Sequence, residues 1–239
     1  MDLVFVHGAA DSAAVWDRQI EHFGGRHRVL AVDLPGHGER LAEKAFQHVH
    51  DSSDEVLRLA DQEGLSDLVL VGHSLGGAIA LTAAMRSPNA MRGLVLAGSG
   101  ARLHMAAALM EVAQERASQA PGDQIVERLI PLSEVVHQAS FEVSTWIAER
   151  FGRATARAVY ADFLALDSFD LMGRIEEIGL PTLVIAGDHD RWTPPKFQHY
   201  LAEHLPRARL VLFENTGHYP FVEQAARFNA ELEQFLTEI

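Results

Sequence analysis

Residues 69–80 read VLVGHSLGGAIA: an apolar run breaks into Gly72-His73-Ser74-Leu75-Gly76-Gly77 and then turns apolar again. Two adjacent glycines at the start of a helical pattern weaken it by roughly 1 kcal/mol each relative to alanine. Gly72 to Gly76 matches G-x-S-x-G between a strand pattern and a helix pattern. A sharp strand-to-helix turn forces such a serine into strained backbone geometry and lifts its hydroxyl above the sheet edge. Side chains two residues before and after it would collide across the turn, so glycine stands at both places. Local stability is given up to present one hydroxyl, and departures of this kind fall at functional sites.

The flanking sequence has the matching pattern. LVFV (3–6), VLAV (29–32), LVLV (68–71), LVLA (94–97), TLVIA (182–186) and LVLF (210–213) are apolar throughout rather than alternating. Strands buried on both faces of a parallel sheet read this way. Helical patterns at 52–63, 77–87 and 222–237 fill gaps between them, and strand–helix alternation predicts a doubly wound α/β sheet of about six strands. The alternation stops at 101–178, which is rich in Ala, Leu, Met, Glu and Arg. The predicted organisation is therefore a core of 1–100 and 179–239 with a helical insertion at 101–178.

Composition narrows the classes of function. The 239 residues hold 20 Lys and Arg against 33 Asp and Glu, a net charge of −13. Phosphate binding needs clustered cations, so a nucleic-acid partner is not expected. A hydrophobic share of 48% with 22% charged residues is that of a globular chain with a full core. No stretch approaches the roughly 20 apolar residues of a membrane span. Met1-Asp2 leads straight into LVFV without a basic region or cleavage site. There is no cysteine, which removes disulfides, thiolate metal sites and Cys nucleophiles. A soluble cytoplasmic protein, monomer or homodimer, is the expectation.

A serine hydroxyl becomes nucleophilic when a base takes its proton, and the base needs an acid to hold its tautomer. In a sheet of this kind the chain order is Ser, then Asp or Glu, then His. TLVIA is followed by Gly187-Asp188-His189-Asp190-Arg191-Trp192-Thr193-Pro194, and LVLF by Glu214-Asn215-Thr216-Gly217-His218-Tyr219. Both segments lie at the carboxyl ends of predicted strands, where ligands bind in open α/β sheets. Among 13 histidines, position selects His218 as the base, and either Asp188 or Asp190 can be the acid. His73 adjoins the serine but points away from its hydroxyl, as packing or a hydrogen-bonded support, while His7 and His37 read as structural. The developing oxyanion needs donors; the expected ones are the backbone N–H of Leu75, after the serine, and of Ala9, in the loop after the first strand. No cofactor and no metal is required.

Four motifs in order resemble the α/β-hydrolase superfamily over nearly the whole chain. HGAADSAAVW looks like its oxyanion loop with the following Trp16, and DLPGHG (33–38) like the turn after the next strand. GHSLGG is the nucleophile elbow, and ENTGHYPFVEQAARFNAELEQFL looks like the histidine loop and closing helix. In IEEIGLPTLVIAGDHDRWTPP (175–195), the family spacing G-x-x-D-x-x-x-P implies Asp190 as the acid. The resemblance implies a Ser74–His218–Asp190 triad and makes 101–178 a mobile cap roofing an acyl pocket.

Members often carry an antiparallel strand pair before the oxyanion-loop strand; no such pair is expected here, and VLAV is then expected at a sheet edge, a place for a partner or a protective helix.

The superfamily hosts many reactions. Ser74 excludes a dehalogenase carboxylate, Gly8 and Tyr219 depart from hydroxynitrile lyases, and Leu75 departs from proline iminopeptidases. Tyr219 weakens a C–C hydrolase reading. Hydrolysis of a carboxylic ester, lactone or thioester remains, with small to medium apolar acyl or aryl groups expected. A catalytically weak ligand-binding protein on the same scaffold is the alternative from another class. Trp146, Trp192 and Tyr219 are the expected substrate contacts; Leu103, Met105, Leu109, Met110, Phe141, Leu164 and Leu166 are further apolar side chains the cap offers.

Overall fold

Every predicted strand is present, all parallel: β1 Asp2–Val6, β2 Val29–Val32, β3 Leu68–His73, β4 Met91–Ala97, β5 Thr182–Gly187 and β6 Ala208–Phe213. They form one sheet in the order β2-β1-β3-β4-β5-β6. The computed structural model describes residues 1–119, 132–138, 140–150 and 153–239. Register runs Leu3 to Val69 and Val6 to Gly72 between β1 and β3, and Leu94 to Thr182 between β4 and β5.

Successive side chains on a strand point to opposite faces, and here each face has its own core. Val4, Val6, Leu70, Leu94, Leu96 and Val184 belong to one apolar cluster, whereas Leu3, Phe5, Val69, Val71, Val95 and Ile185 belong to the other. That division is why the strand sequences are apolar throughout. α2 (Val49–Gln62), α3 (Leu75–Arg86) and α8 (Pro195–His204) cover the first face. α1 (Asp17–Phe23) and α10 (Ala225–Glu238) cover the second, where Trp16 stacks on Phe221 with centroids 4.0 Å apart. β2 lies at the sheet edge, as expected; its residues are largely half-buried.

The described residues between β4 and β5 include the helices α4 Ala107–Gln119, α5 Leu132–Val135, α6 Phe141–Arg150 and α7 Ala156–Ser168. α7 is not detached from the core. Ala158, Val159, Phe163 and Leu166 join the apolar cluster of the first face. Thr155 caps α7 by accepting the Ala158 N–H at 3.1 Å, and its own N–H donates to Gly36 O at 3.1 Å. Two expectations change in detail. The helical pattern at 222–237 is divided into α9 (Pro220–Glu223) and α10, because Gln224 takes φ −131° and ψ 54°, outside helical geometry. Phe141, offered above as a pocket residue, is 88% exposed at the start of α6, so it lines no enclosed pocket.

The topology also makes an opening. β1 and β3 are neighbours, but the chain leaves β1 toward α1 on one face and β3 toward α3 on the other. Where connections diverge in this way, a crevice forms beyond the carboxyl ends of the strands.

Candidate active site

Both sides of that crevice carry predicted residues. Ser74 follows β3 with φ 51° and ψ −112°, a conformation rare for a residue with a side chain. The surroundings hold it there. Its N–H donates to Ala97 O at 3.0 Å, and its carbonyl oxygen accepts Gly77 N–H at 2.9 Å and Ser99 Oγ at 2.8 Å. Ser99 is fixed in turn by Gln198 Nε2, which donates to its carbonyl oxygen at 2.7 Å. A Cβ at Gly72 would run into the carbonyl oxygen of Gly76, and one at Gly76 into that of Val6. The glycines of the elbow are thus required by backbone approaching backbone. Ser74 is half-buried, whereas Leu75 behind it is buried.

His218 and Asp190 meet as the spacing implied. His218 Nδ1 lies 2.8 Å from Asp190 Oδ2, with the two residues 5% and 4% exposed. A carboxylate only accepts, so Nδ1 donates and Nε2 is left facing away from Asp190. Asp190 is saturated by further donors: Trp192 N–H at 2.8 Å and Thr193 N–H at 2.9 Å on Oδ1, and Thr193 Oγ1 at 2.7 Å on Oδ2. Burial alone would raise its pKa, but the His218 charge and these hydrogen bonds outweigh it and hold the carboxyl below the ordinary value. Asp188 occupies a different environment. It accepts Thr216 N–H at 3.1 Å and the exposed His189 ring at 2.7 Å, tying the loop after β5 to the loop after β6.

Three further buried histidines, His73, His7 and His37, differ in what their ring nitrogens face. His73 is fully buried, and its Nε2 donates to His218 O at 2.9 Å, which bears out its reading as a support. Burial and the neighbouring His218 hold its pKa well below 6.5. His7 donates from Nδ1 to Gly8 O at 2.7 Å and accepts Leu34 N–H on Nε2 at 3.2 Å, so it is neutral. Burial first, and the His37 charge second, push its pKa down to about 3. His37 differs: Nδ1 faces Pro35 O at 3.1 Å and Nε2 faces Asp162 Oδ2 at 2.9 Å. Both partners are acceptors, so both ring nitrogens carry protons.

Of the expected substrate contacts, Tyr219 is turned inward. It is 4% exposed, its hydroxyl donates to Asp11 Oδ2 at 3.1 Å, and its ring packs 4.5 Å from that of His73. It supports the histidines from behind. Trp192 is half-buried two residues after Asp190. Trp146, also half-buried, lies under the Arg18 guanidinium, 5.1 Å from the ring centroid.

Three carboxylates essential to this arrangement have no motif of their own. Glu223 accepts Gly217 and His137 N–H on Oε2 at 2.9 and 2.8 Å, and Tyr219 N–H on Oε1 at 3.0 Å. It clamps the histidine loop to His137, just after α5, and Val135 O at the end of α5 accepts His218 N–H at 2.7 Å. Burial raises its pKa in spite of those donors. Asp11 is fully buried under Tyr219, and Asp162 reaches in from α7. The only sequence signal for Glu223 is its place one turn after Tyr219-Pro220.

Strained Ser74 follows β3, and the buried His218–Asp190 pair is formed by the loops after β6 and β5. No backbone acceptor among the described residues takes the N–H of Ala9 or Leu75. No group of metal-binding side chains occurs among the described residues, and no helix there is long and apolar enough to cross a membrane.

Residues 3–231 match the profile of the alpha/beta hydrolase family. A pimeloyl-[acyl-carrier protein] methyl ester esterase from Nitrosomonas europaea is 29% identical over 95% of this chain and 92% of its own. An (E)-2-((N-methylformamido)methylene)succinate hydrolase from Acinetobacter baylyi is 26% identical over 98% and 89%. Among solved structures, a thermophilic esterase from Thermogutta terrifontis superposes with a TM-score of 0.86 at 25% identity, covering 100% of this chain and 90% of that one.

Proposed function

The chain belongs to the alpha/beta hydrolase family, and from that premise we propose that it hydrolyses carboxylic esters of small to medium apolar acyl or aryl groups through Ser74, His218 and Asp190. The observation that carries this reading is the buried 2.8 Å hydrogen bond from His218 Nδ1 to Asp190 Oδ2, beside a serine held at φ 51°. Ser74 Oγ attacks the ester carbonyl while His218 Nε2 takes its proton, and Asp190 stabilises the imidazolium. The carbonyl oxygen becomes an oxyanion held by the N–H groups of Ala9 and Leu75. Collapse expels the alcohol, which receives the proton from His218. Water, deprotonated by the same nitrogen, then releases the acid and restores the serine.

Residues 101–178 act as the cap over the acyl group. Met105, Leu109 and Met110 are partly buried, packed against the core of the first face, and methionine adapts to varied apolar shapes. Trp146 and Trp192 supply aromatic surface at the other side of the site. The names of the relatives, a methyl ester esterase and a thermophilic esterase, favour a carboxylic ester as the bond cleaved.

The test is turnover of p-nitrophenyl butyrate by the wild type and Ser74→Ala, with a fluorophosphonate probe read by mass spectrometry. Ready turnover, near-complete loss in the variant and labelling at Ser74 alone are expected. Equal labelling of another serine, or a ligand-dependent melting shift without any hydrolysis, would overturn the reading in favour of a different nucleophile or a binding protein.

A further inference from the structure

The loop after β1 contains a second strained residue. Ala10 has φ 61°, and it adjoins Ala9, whose N–H is assigned above to the oxyanion. A residue with a side chain is strained in that conformation and persists there only where its surroundings over-determine it. The Ala10 N–H donates to Asp162 Oδ2 at 2.9 Å, across 152 residues of sequence.

Asp162 is 4% exposed on α7. A buried carboxylate is costly unless it is paired and hydrogen-bonded. Its partner is His37, whose Nε2 donates to the same oxygen at 2.9 Å and whose Nδ1 is occupied by Pro35 O. The ring is thereby kept as the cation. His7, 5.0 Å from it between ring centroids, is neutral and does not compete for the charge. Nor can α7 slide: Thr155 N–H reaches Gly36 O at 3.1 Å, and Gly38 N–H reaches Arg153 O at 2.7 Å. One carboxylate oxygen of the insertion is thus held at a set place by the loop after β2 and holds the loop after β1.

We propose that Asp162 is a positioning residue for the oxyanion site: by fixing the Ala10 N–H it aims the neighbouring Ala9 N–H at the transition state, with His37 as the counter-cation that anchors it. The proposal rests on the esterase reading above. It makes seating of α7 a condition for chemistry as well as for substrate binding. The role is transition-state specific, because the ester carbonyl gains its full negative charge only after attack.

The experiment compares Asp162→Ala, Asp162→Asn and His37→Gln with the wild type in kcat, KM, melting temperature and affinity for an alkyl trifluoromethyl ketone, whose serine adduct places an oxyanion in the hole. Removing one oxyanion donor outright costs about 10²- to 10³-fold in kcat; a misaimed donor is expected to cost Asp162→Ala about 10- to 100-fold. KM should stay within about threefold, and ketone affinity should fall by the same factor as kcat. Asp162→Asn should be intermediate, since its amide oxygen still accepts the Ala10 N–H. Unchanged kcat in folded Asp162→Ala, or a kcat loss without loss of ketone affinity, overturns the proposal. Should Asp162→Ala fail to fold, wild-type kcat in both Asp162→Asn and His37→Gln overturns it equally. A wild type that neither turns over ester nor forms the Ser74 adduct would instead refute the triad reading.

Discussion

His73 Nε2 lies 2.9 Å from the carbonyl oxygen of His218, so the residue immediately before the candidate nucleophile holds the backbone of the candidate base. The elbow and the histidine loop come from different strands, and this bond spans the 145 residues between them. The ring is fully buried and neutral, and it delivers its single proton to that carbonyl. His73→Phe keeps most of the ring packing but removes the donor. Leaving a buried carbonyl without this partner should cost about 1–3 kcal/mol in urea denaturation. kcat should fall as the histidine loop loosens. Unchanged stability would mean that packing alone holds the loop.

The two aspartates after β5 should fail in different ways. Asp190→Asn keeps the turn but loses the charge that stabilises imidazolium and favours the wrong tautomer of His218. In a serine protease this change lowers kcat by about 10⁴, and a comparable loss is expected here in folded protein. Asp188 touches Thr216 N–H and His189, not His218. Asp188→Asn should remain within about tenfold of wild type in kcat with one ester substrate. The reverse pattern would move the acid to Asp188.

Glycine substitutions separate a steric requirement from mere composition. The Cβ of Gly76→Ala would meet the carbonyl oxygens of Val6 and His7, which are backbone and cannot rotate away. A loss of about 3 kcal/mol or more is expected, or failure to fold. Gly25→Ala has open space around the added carbon and should stay within about 0.5 kcal/mol. Thermal melting of the two side by side decides the point.

Folding stability should peak near neutral pH. His7 is held neutral, with a folded pKa of about 3 against 6.5 when unfolded. As pH falls below about 6.5 the unfolded chain takes up a proton that the folded one refuses, and stability drops by roughly 1 kcal/mol per pH unit. His73 acts in the same direction. His37 has the opposite sign. Burial would lower its pKa, but the Asp162 charge and hydrogen bond, with lesser help from Pro35 and Asp11, raise it. Its stabilisation is full below about 6.5 and is lost as pH rises through the folded value. Urea denaturation between pH 5 and 8 tests both limbs. His7→Gln should flatten the acid side and His37→Gln the alkaline side; identical slopes in all three proteins would contradict these assignments.

Much of this molecule was legible in local signals. Leu3 to Val6 and Val69 to Leu70 are apolar at every position because each strand feeds two cores, one from each face. Gly72 and Gly76 flank Ser74 because a tight turn admits no Cβ there. Both are short-range effects of burial and sterics, which residue type and spacing record directly. The positions of Asp190 and His218 at strand ends follow from the same strand pattern, and their meeting at 2.8 Å follows from β5 lying beside β6.

The tertiary structure decided the rest. Nothing near Asp162 in the chain announces that it pairs with His37 and receives the Ala10 N–H, because those partners lie 125 and 152 residues away. Glu223 and Asp11 look like ordinary charged loop and helix-start residues until three loops close around them. Tyr219 follows the candidate base directly, yet it turns to Asp11, while Phe141, apolar on a helix, stays in solvent. The physical reason is common to all of these. Backbone conformation responds to neighbours in the chain, but whether a polar group is buried, charged and partnered depends on which distant donors the fold brings within about 3 Å.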